Sequence, residues 1–211
     1  MDSSPGRRET NKQRTRSALE QAASHLFEEK GFAATTVRDI AAAAGVGERT
    51  FFRYFPSKED LVLQQVRDLI PDLMDGVRRR PAGEPELAAL REVIVAWLEQ
   101  TGTTPTILVS GPPKGERHQG EAHALKMDLE GAITEAFLDR LEASGADRHA
   151  PATVLRAAVE AGAGVAALRG LMIAYPREGA DGAACTDPEC TPTAAEIAVR
   201  VREAFAVLET P

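Results

Sequence analysis

Gly45-Val46-Gly47 stands between two short segments of helical character. The first opens at Thr36-Val37-Arg38-Asp39, where a threonine followed three residues on by an acid forms a capping box, and it continues through Ile40 and four alanines, Ala41 to Ala44. The second runs from Glu48 to Phe55 and carries most of the aromatic residues of this half. A helix, a three-residue turn and a second helix leave the chain few arrangements. Two helices that cross steeply come close only where small residues meet, and Ala41, Ala44 and Gly45 are small. Gly45 tolerates the left-handed backbone that a sharp turn needs, and Val46 supplies an apolar plug. Phe51 and Phe55, four apart, turn one face of the second segment into a core. Gly47, Glu48, Arg49, Thr50, Phe52 and Arg53 are then left on the free face, where a helix-turn-helix meets a DNA major groove. Taken by itself, the turn fits an ordinary helical hairpin better than a DNA-binding one.

The rest of the chain reads as helix as well, which makes the expected class all-α. Residues 1–9 read as a loose tail. Thr10 offers an N-cap, and Leu19, Ala22, Ala23, Leu26 and Phe27 form one apolar stripe at helical spacing up to a C-cap at Gly31. Ser57 and Asp60 form a further capping box that starts the next helix. Pro81 to Pro85 is a break, and Glu86 to Gln100 is a helix. Thr101 to Gly120 is a loop or a short broken helix. Helices follow over Glu121 to Ala143 and from Pro151 to about Tyr175. Pro176 to Cys190 reads as a loop, and Thr191-Pro192 starts the last helix. No stretch alternates with period two for long.

Charge is unevenly distributed. The chain of 211 residues has a formal net charge of −7, yet residues 1–63 sum to +1 and residues 64–211 to −8. Across residues 7–16, Arg7, Arg8, Lys12, Arg14 and Arg16 face only Glu9. A basic end on an acidic body suits contact with an anion at that end, and an acidic average does not exclude DNA, because only the facing surface must be positive. Hydrophobic residues at 43% and charged residues at 27% match a soluble globular chain. The uncharged run Ala161–Leu168 is far short of a membrane span. No charged-then-apolar leader opens the sequence, so a cytoplasmic protein is expected.

The stretch from Gly31 to Leu61 contains T-V-R-D-I-A, A-G-V, R-Y-F and P-S-K-E-D-L in order. With these motifs at these spacings, residues 12–63 closely resemble the N-terminal domain of the tetracycline-repressor-like (TetR) family of transcriptional regulators. The rest of the chain is similar to that family only in length and helical character. The resemblance implies residues 10–63 as a three-helix DNA-binding domain with a helix-turn-helix, and residues 64–211 as a larger helical domain for effector binding and dimerisation. It implies that Thr36 and Arg38 meet phosphate and sometimes a base. Gly47, Glu48, Arg49 and Thr50 then lie at the tip of the recognition helix, Phe52 and Arg53 follow on its DNA face, and Lys58 binds phosphate. Two positions depart from the family pattern. Gly47 stands where Ser is frequent and caps less well. Phe52 stands where Tyr is usual; it lacks a hydroxyl for phosphate and can instead touch a thymine methyl. Arg49 is the strongest candidate for reading a base directly, because arginine paired with guanine is the commonest specific contact.

One recognition helix contacts few bases, so a homodimer on a palindromic site of double-stranded DNA is expected. The resemblance implies that the helix after Pro151, rich in Ala and Gly, and the last helix form the dimer interface, with Ala158, Gly162, Val165, Ile197, Val201 and Phe205 as its residues. Residues 64–148 are expected to house a pocket for an unknown small-molecule effector. Its candidate residues are Trp97, His123, Met127, Phe137 and Met172, since such pockets are mostly apolar with a few polar groups. Repression is the expected outcome of DNA binding.

No catalytic motif for phosphate, zinc, acyl-enzyme or dinucleotide chemistry is present in the sequence, and no catalysis, cofactor, metal or membrane partner is expected. Cys185 and Cys190 are too few for a disulfide framework. They leave a redox-responsive regulator as an alternative. A helical adaptor whose basic end binds protein or membrane is another.

Overall fold

The computed structural model describes residues 5–110, 116–174 and 192–209. All regular structure among them is helical. The helices are α1 (Pro5–Ala34), α2 (Val37–Ala43), α3 (Glu48–Tyr54), α4 (Lys58–Arg79), α5 (Glu86–Thr101), α6 (Thr106–Ser110), α7 (Glu116–Ala143), α8 (Pro151–Ala174) and α9 (Ala194–Glu209). The chain divides into two compact units, one through Gln65 and one from Val66 on. Helix α4 starts in the first and continues in the second.

The first unit is built on α1. Its stripe buries Leu19, Ala23 and Phe27, and Ile40, Ala41, Phe51, Phe55 and Leu61 complete the core. Helix α1 begins at Pro5, so residues 5–9 belong to it and are not the loose tail the sequence suggests. At Gly31 the backbone leaves helical geometry (φ 80°, ψ 160°), where the sequence places a C-cap, and a short helical turn follows to Ala34. Fully buried Thr35 closes this corner, donating its hydroxyl to the carbonyls of Gly31 at 2.8 Å and Leu26 at 3.2 Å. The start of α4 is held by the Ser57 hydroxyl, which accepts from the Asp60 N–H at 3.0 Å. Gln65 donates to the Glu20 carbonyl and the Ser24 hydroxyl, tying α4 to α1.

In the second unit, α8 packs against α7, α5, α6 and α9, and α9 packs against α5. Gly164 allows α8 to come close to α5: a Cβ there would lie 2.8 Å from the Leu90 side chain. The break between α4 and α5 is held by Arg140 of α7, only 3% exposed. Its guanidinium donates to the carbonyls of Val77, Arg80, Pro81 and Glu84 at 2.7–3.2 Å. One buried cation thus satisfies the free carbonyls at the end of α4 and across the proline-bounded turn.

Two helix starts differ from the sequence reading. Helix α7 begins at Glu116, five residues before the expected Glu121. Helix α9 begins at Ala194, because Thr193 and Glu196 form the capping box: the Thr193 hydroxyl accepts from the Glu196 N–H at 3.2 Å, and the Glu196 carboxylate accepts from the Thr193 N–H at 2.7 Å. The expected loop from Pro176 to Cys190, with both cysteines, lies outside the described residues.

Candidate functional site

Local chemistry builds the α2–turn–α3 segment. Thr36 caps α2, with its hydroxyl accepting from the Asp39 N–H at 3.1 Å and the Asp39 carboxylate accepting from the Thr36 N–H at 3.0 Å. Lys30 of α1 pairs with the same carboxylate at 2.7 Å. This hydrogen bond from Lys30, together with those from Thr36, holds the Asp39 carboxyl well below the usual aspartate range. Helix α2 ends in a Schellman motif. Gly45 takes φ 70°, its N–H donates to the Ala42 carbonyl at 3.0 Å, and the Val46 N–H donates to the Ala41 carbonyl at 2.9 Å. Val46 is half-buried beside the turn. Gly47 is the N-cap of α3 and supplies no side-chain hydrogen bond, as its lack of a side chain requires.

Helix α3 is anchored by aromatic residues. Phe51 is fully buried and Phe55 is 2% exposed, with ring centres 5.8 Å apart. The Arg16 guanidinium of α1 lies 5.7 Å from the centre of the Phe55 ring. This fixes the rotation of α3 and turns Glu48, Arg49, Phe52 and Arg53 outward, with Thr50 half-buried. Phe52 is 52% exposed, a large apolar ring held in solvent beside two arginines. Arg49 and Arg38 are exposed and have no hydrogen bond or ion pair among the described residues. Thr36 and Arg38 at the start of α2 are exposed too.

Lys58 is placed differently from its expected role. Its ammonium donates to the carbonyls of Phe32 at 2.8 Å and Thr35 at 2.9 Å, and lies 4.4 Å from the centre of the Phe32 ring. Burial pushes this lysine below its ordinary pKa. The cation closes the end of α1 rather than standing free for a phosphate.

The second unit encloses a cavity of about 320 Å³, at the small end of the range for small-molecule sites. Trp97, His123 and Met172, three of the candidate residues, line it. Met127 and Phe137 do not. On α7 the lining face runs through Ala122, Leu129 and Ile133. Met127 stands two residues from Leu129, about 200° around the helix, and is 52% exposed on the outside. Phe137 is fully buried one turn beyond Ile133, in the plain core. Arg169 of α8 and Lys126 of α7 also line the cavity and were not legible as pocket residues.

The expected interface residues need correction as well. Val165, Ile197, Val201 and Phe205 are at most 6% exposed and form the core of the single chain. Ala158 is exposed and Gly162 half-buried. The large apolar residues more than half exposed on these helices are Leu155, Val159 and Ile173 of α8 and Val199 and Val207 of α9. Among the described helices, α8 is long and apolar enough to cross a membrane by length and hydropathy alone, and one face of it packs inside the protein. The small-residue stripe Ala157, Ala161 and Gly164 is that inner face. The signal available in the sequence was the pair of larger residues two positions to either side of Ala157, Leu155 and Val159.

Residues 20–64 match the family model described as "Bacterial regulatory proteins, tetR family". The chain is 41% identical over 86 residues to the HTH-type transcriptional regulator TcmR of Streptomyces glaucescens, a match covering 41% of this chain and 38% of that protein. It is 39% identical over 80 residues to the HTH-type transcriptional repressor KstR2 of Rhodococcus jostii, covering 38% of this chain and 39% of that one. The matches thus span well under half the length of these curated relatives. Across nearly the whole chain it is similar to the crystal structure of Thermus thermophilus FadR, a TetR-family transcriptional repressor in complex with lauroyl-CoA. That likeness has a TM-score of 0.55 and 26% identity, and covers 92% of this chain and 93% of that one.

Proposed function

Because the chain belongs to the TetR family of bacterial regulatory proteins, we propose that it is a ligand-responsive transcriptional repressor that binds a palindromic operator as a homodimer. The observation that carries this reading is the orientation of α3: Phe51 and Phe55 are buried, while Arg49, Phe52 and Arg53 are presented to solvent. An α-helix with this outward face fits a major groove. Arg49 reads a base edge, Phe52 rests on a thymine methyl, and Arg38 and Arg53 meet phosphate. Thr36 keeps its capping bond, in which its oxygen accepts, and has its own hydroxyl proton to donate to a phosphate oxygen. Lys58 supports the α1–α2 corner and contacts no phosphate.

Two copies associate through the open apolar residues of α8 and α9, with Leu155, Val159 and Ile173 at the centre. This is the surface that water leaves most exposed and that association would cover. The cavity of the second unit receives the effector. A ligand that binds better to the conformation unable to reach both half-sites lowers operator affinity by its differential affinity, and DNA lowers ligand affinity by the same factor. The FadR structure with lauroyl-CoA supports a small-molecule effector for a chain of this fold. A DNA partner places the protein in the cytoplasm.

A gel shift with the DNA flanking its own gene, at two salt concentrations, tests the reading. A specific repressor binds that DNA in preference to random DNA at both concentrations and weakens steeply as salt rises. Equal affinity for flanking and random DNA at both concentrations contradicts it.

A further inference from the structure

The cavity of the second unit has a one-sided charge. Its walls are aliphatic and aromatic, and the charged side chains that line it, Lys126 and Arg169, are both basic, with His123 beside Lys126 one turn back on α7. Among the described residues, no aspartate or glutamate lines it. That is unexpected by composition, because residues 64–211 sum to −8. Lys126 is already paired, its ammonium 3.2 Å from the Glu130 carboxylate. Arg169 is exposed at the rim and has no hydrogen bond or ion pair among the described residues. From this geometry we infer that the cavity selects an amphipathic acid, whose hydrocarbon body fills the apolar interior and whose anionic end pairs with Arg169.

The physical case rests on two unequal parts. The apolar interior supplies affinity for any hydrocarbon of suitable size, and it discriminates little between one hydrocarbon and another. The head group decides. A carboxylate accepts two hydrogen bonds from the planar guanidinium fork. An alcohol of the same length accepts a single bond and brings no opposite charge, and an amine meets like charge. The inference rests on the reading of this cavity as the effector site, and its test is independent of DNA.

Trp97 is the only tryptophan of the chain and lies in the cavity wall, so its fluorescence reports occupancy directly. Decanoate, decanol and decylamine serve as probes, each below its micelle-forming concentration. The full-length protein should bind decanoate about tenfold more tightly than decanol, and decylamine most weakly. Arg169→Met should weaken decanoate far more than decanol and bring the two close to equal affinity. Arg169→Lys should keep part of the preference for the acid, and Arg169→Glu should favour the amine. Equal binding of acid and alcohol by the unmutated protein, an acid preference that survives Arg169→Met, or no response of Trp97 to any of the three overturns the inference. A gel shift on the same preparation separates the two readings. Specific DNA binding with no acid preference sinks this inference alone, and acid selectivity without specific DNA binding sinks the regulator alone.

Discussion

The Lys58 ammonium donates to the carbonyl of Phe32 at 2.8 Å while lying 4.4 Å from the centre of the Phe32 ring. One residue thus satisfies the end of α1 through a charged hydrogen bond and a cation–π contact, and brings the start of α4 onto the corner that precedes α2. Lys58→Met keeps the aliphatic stem and leaves the carbonyls of Phe32 and Thr35 without this donor. It should lower stability by about 1–3 kcal/mol, read as a fall in the thermal midpoint. It should also leave the salt slope of DNA binding unchanged. Removing a phosphate contact reduces that slope by about one unit, so a reduced slope would return Lys58 to the DNA surface.

Asp39 makes the first unit sensitive to acid. Its carboxylate accepts from Lys30 and from the Thr36 N–H, which lowers its folded-state pKa below the ordinary 3.8. A carboxylate depressed on folding contributes stability that is fully present above its unfolded pKa and is lost as pH falls toward the folded one. Unfolding by urea should therefore find wild type more stable than Asp39→Asn at pH 6, with the gap closing as pH drops below about 4. A gap that stays constant down to pH 2.5 would mean that the carboxylate's charge contributes nothing to the corner.

Arg49 has no intramolecular partner among the described residues and stands on the exposed side of α3. Arg49→Ala should relax specificity at one base pair in each half-site, worth about 1–3 kcal/mol of discrimination there. A binding-site scan reads this directly. Uniform weakening across all base variants would assign Arg49 to the DNA backbone instead.

Val159 is 61% exposed on α8, so a charge there disturbs no packed core. Val159→Glu should leave helix content and thermal midpoint close to wild type. In sedimentation it should yield monomers at micromolar concentrations where wild type is a dimer. A variant that remains dimeric would move the association surface away from α8.

The turn was legible in the sequence because its chemistry is local. Thr36 and Asp39 face each other across one helical turn, Gly45 is needed where φ reaches 70°, and Phe51 and Phe55 fall on one side of α3 by spacing alone. The second unit was legible in its helices and less so in its faces. Helix α8 carries small or apolar residues around most of its circumference, so periodicity does not say which side is core. The structure puts Ala157, Ala161 and Gly164 inside and Leu155 and Val159 outside. Met127 and Phe137 were misassigned for a related reason: a cavity is defined by where side chains stop short of one another, which depends on packing between helices distant in sequence. The position of Lys58 at the start of a helix suits a phosphate, whereas its reach back to Phe32 is a tertiary contact that spacing does not show.

Selection of bound fragments from a random DNA pool by the full-length protein tests the central claim most directly. The account predicts a single enriched inverted repeat, with one base in each half-site whose preference disappears in Arg49→Ala. Recovery of no common sequence, or of a lone half-site that one copy of the chain binds as tightly as the pair, would contradict it.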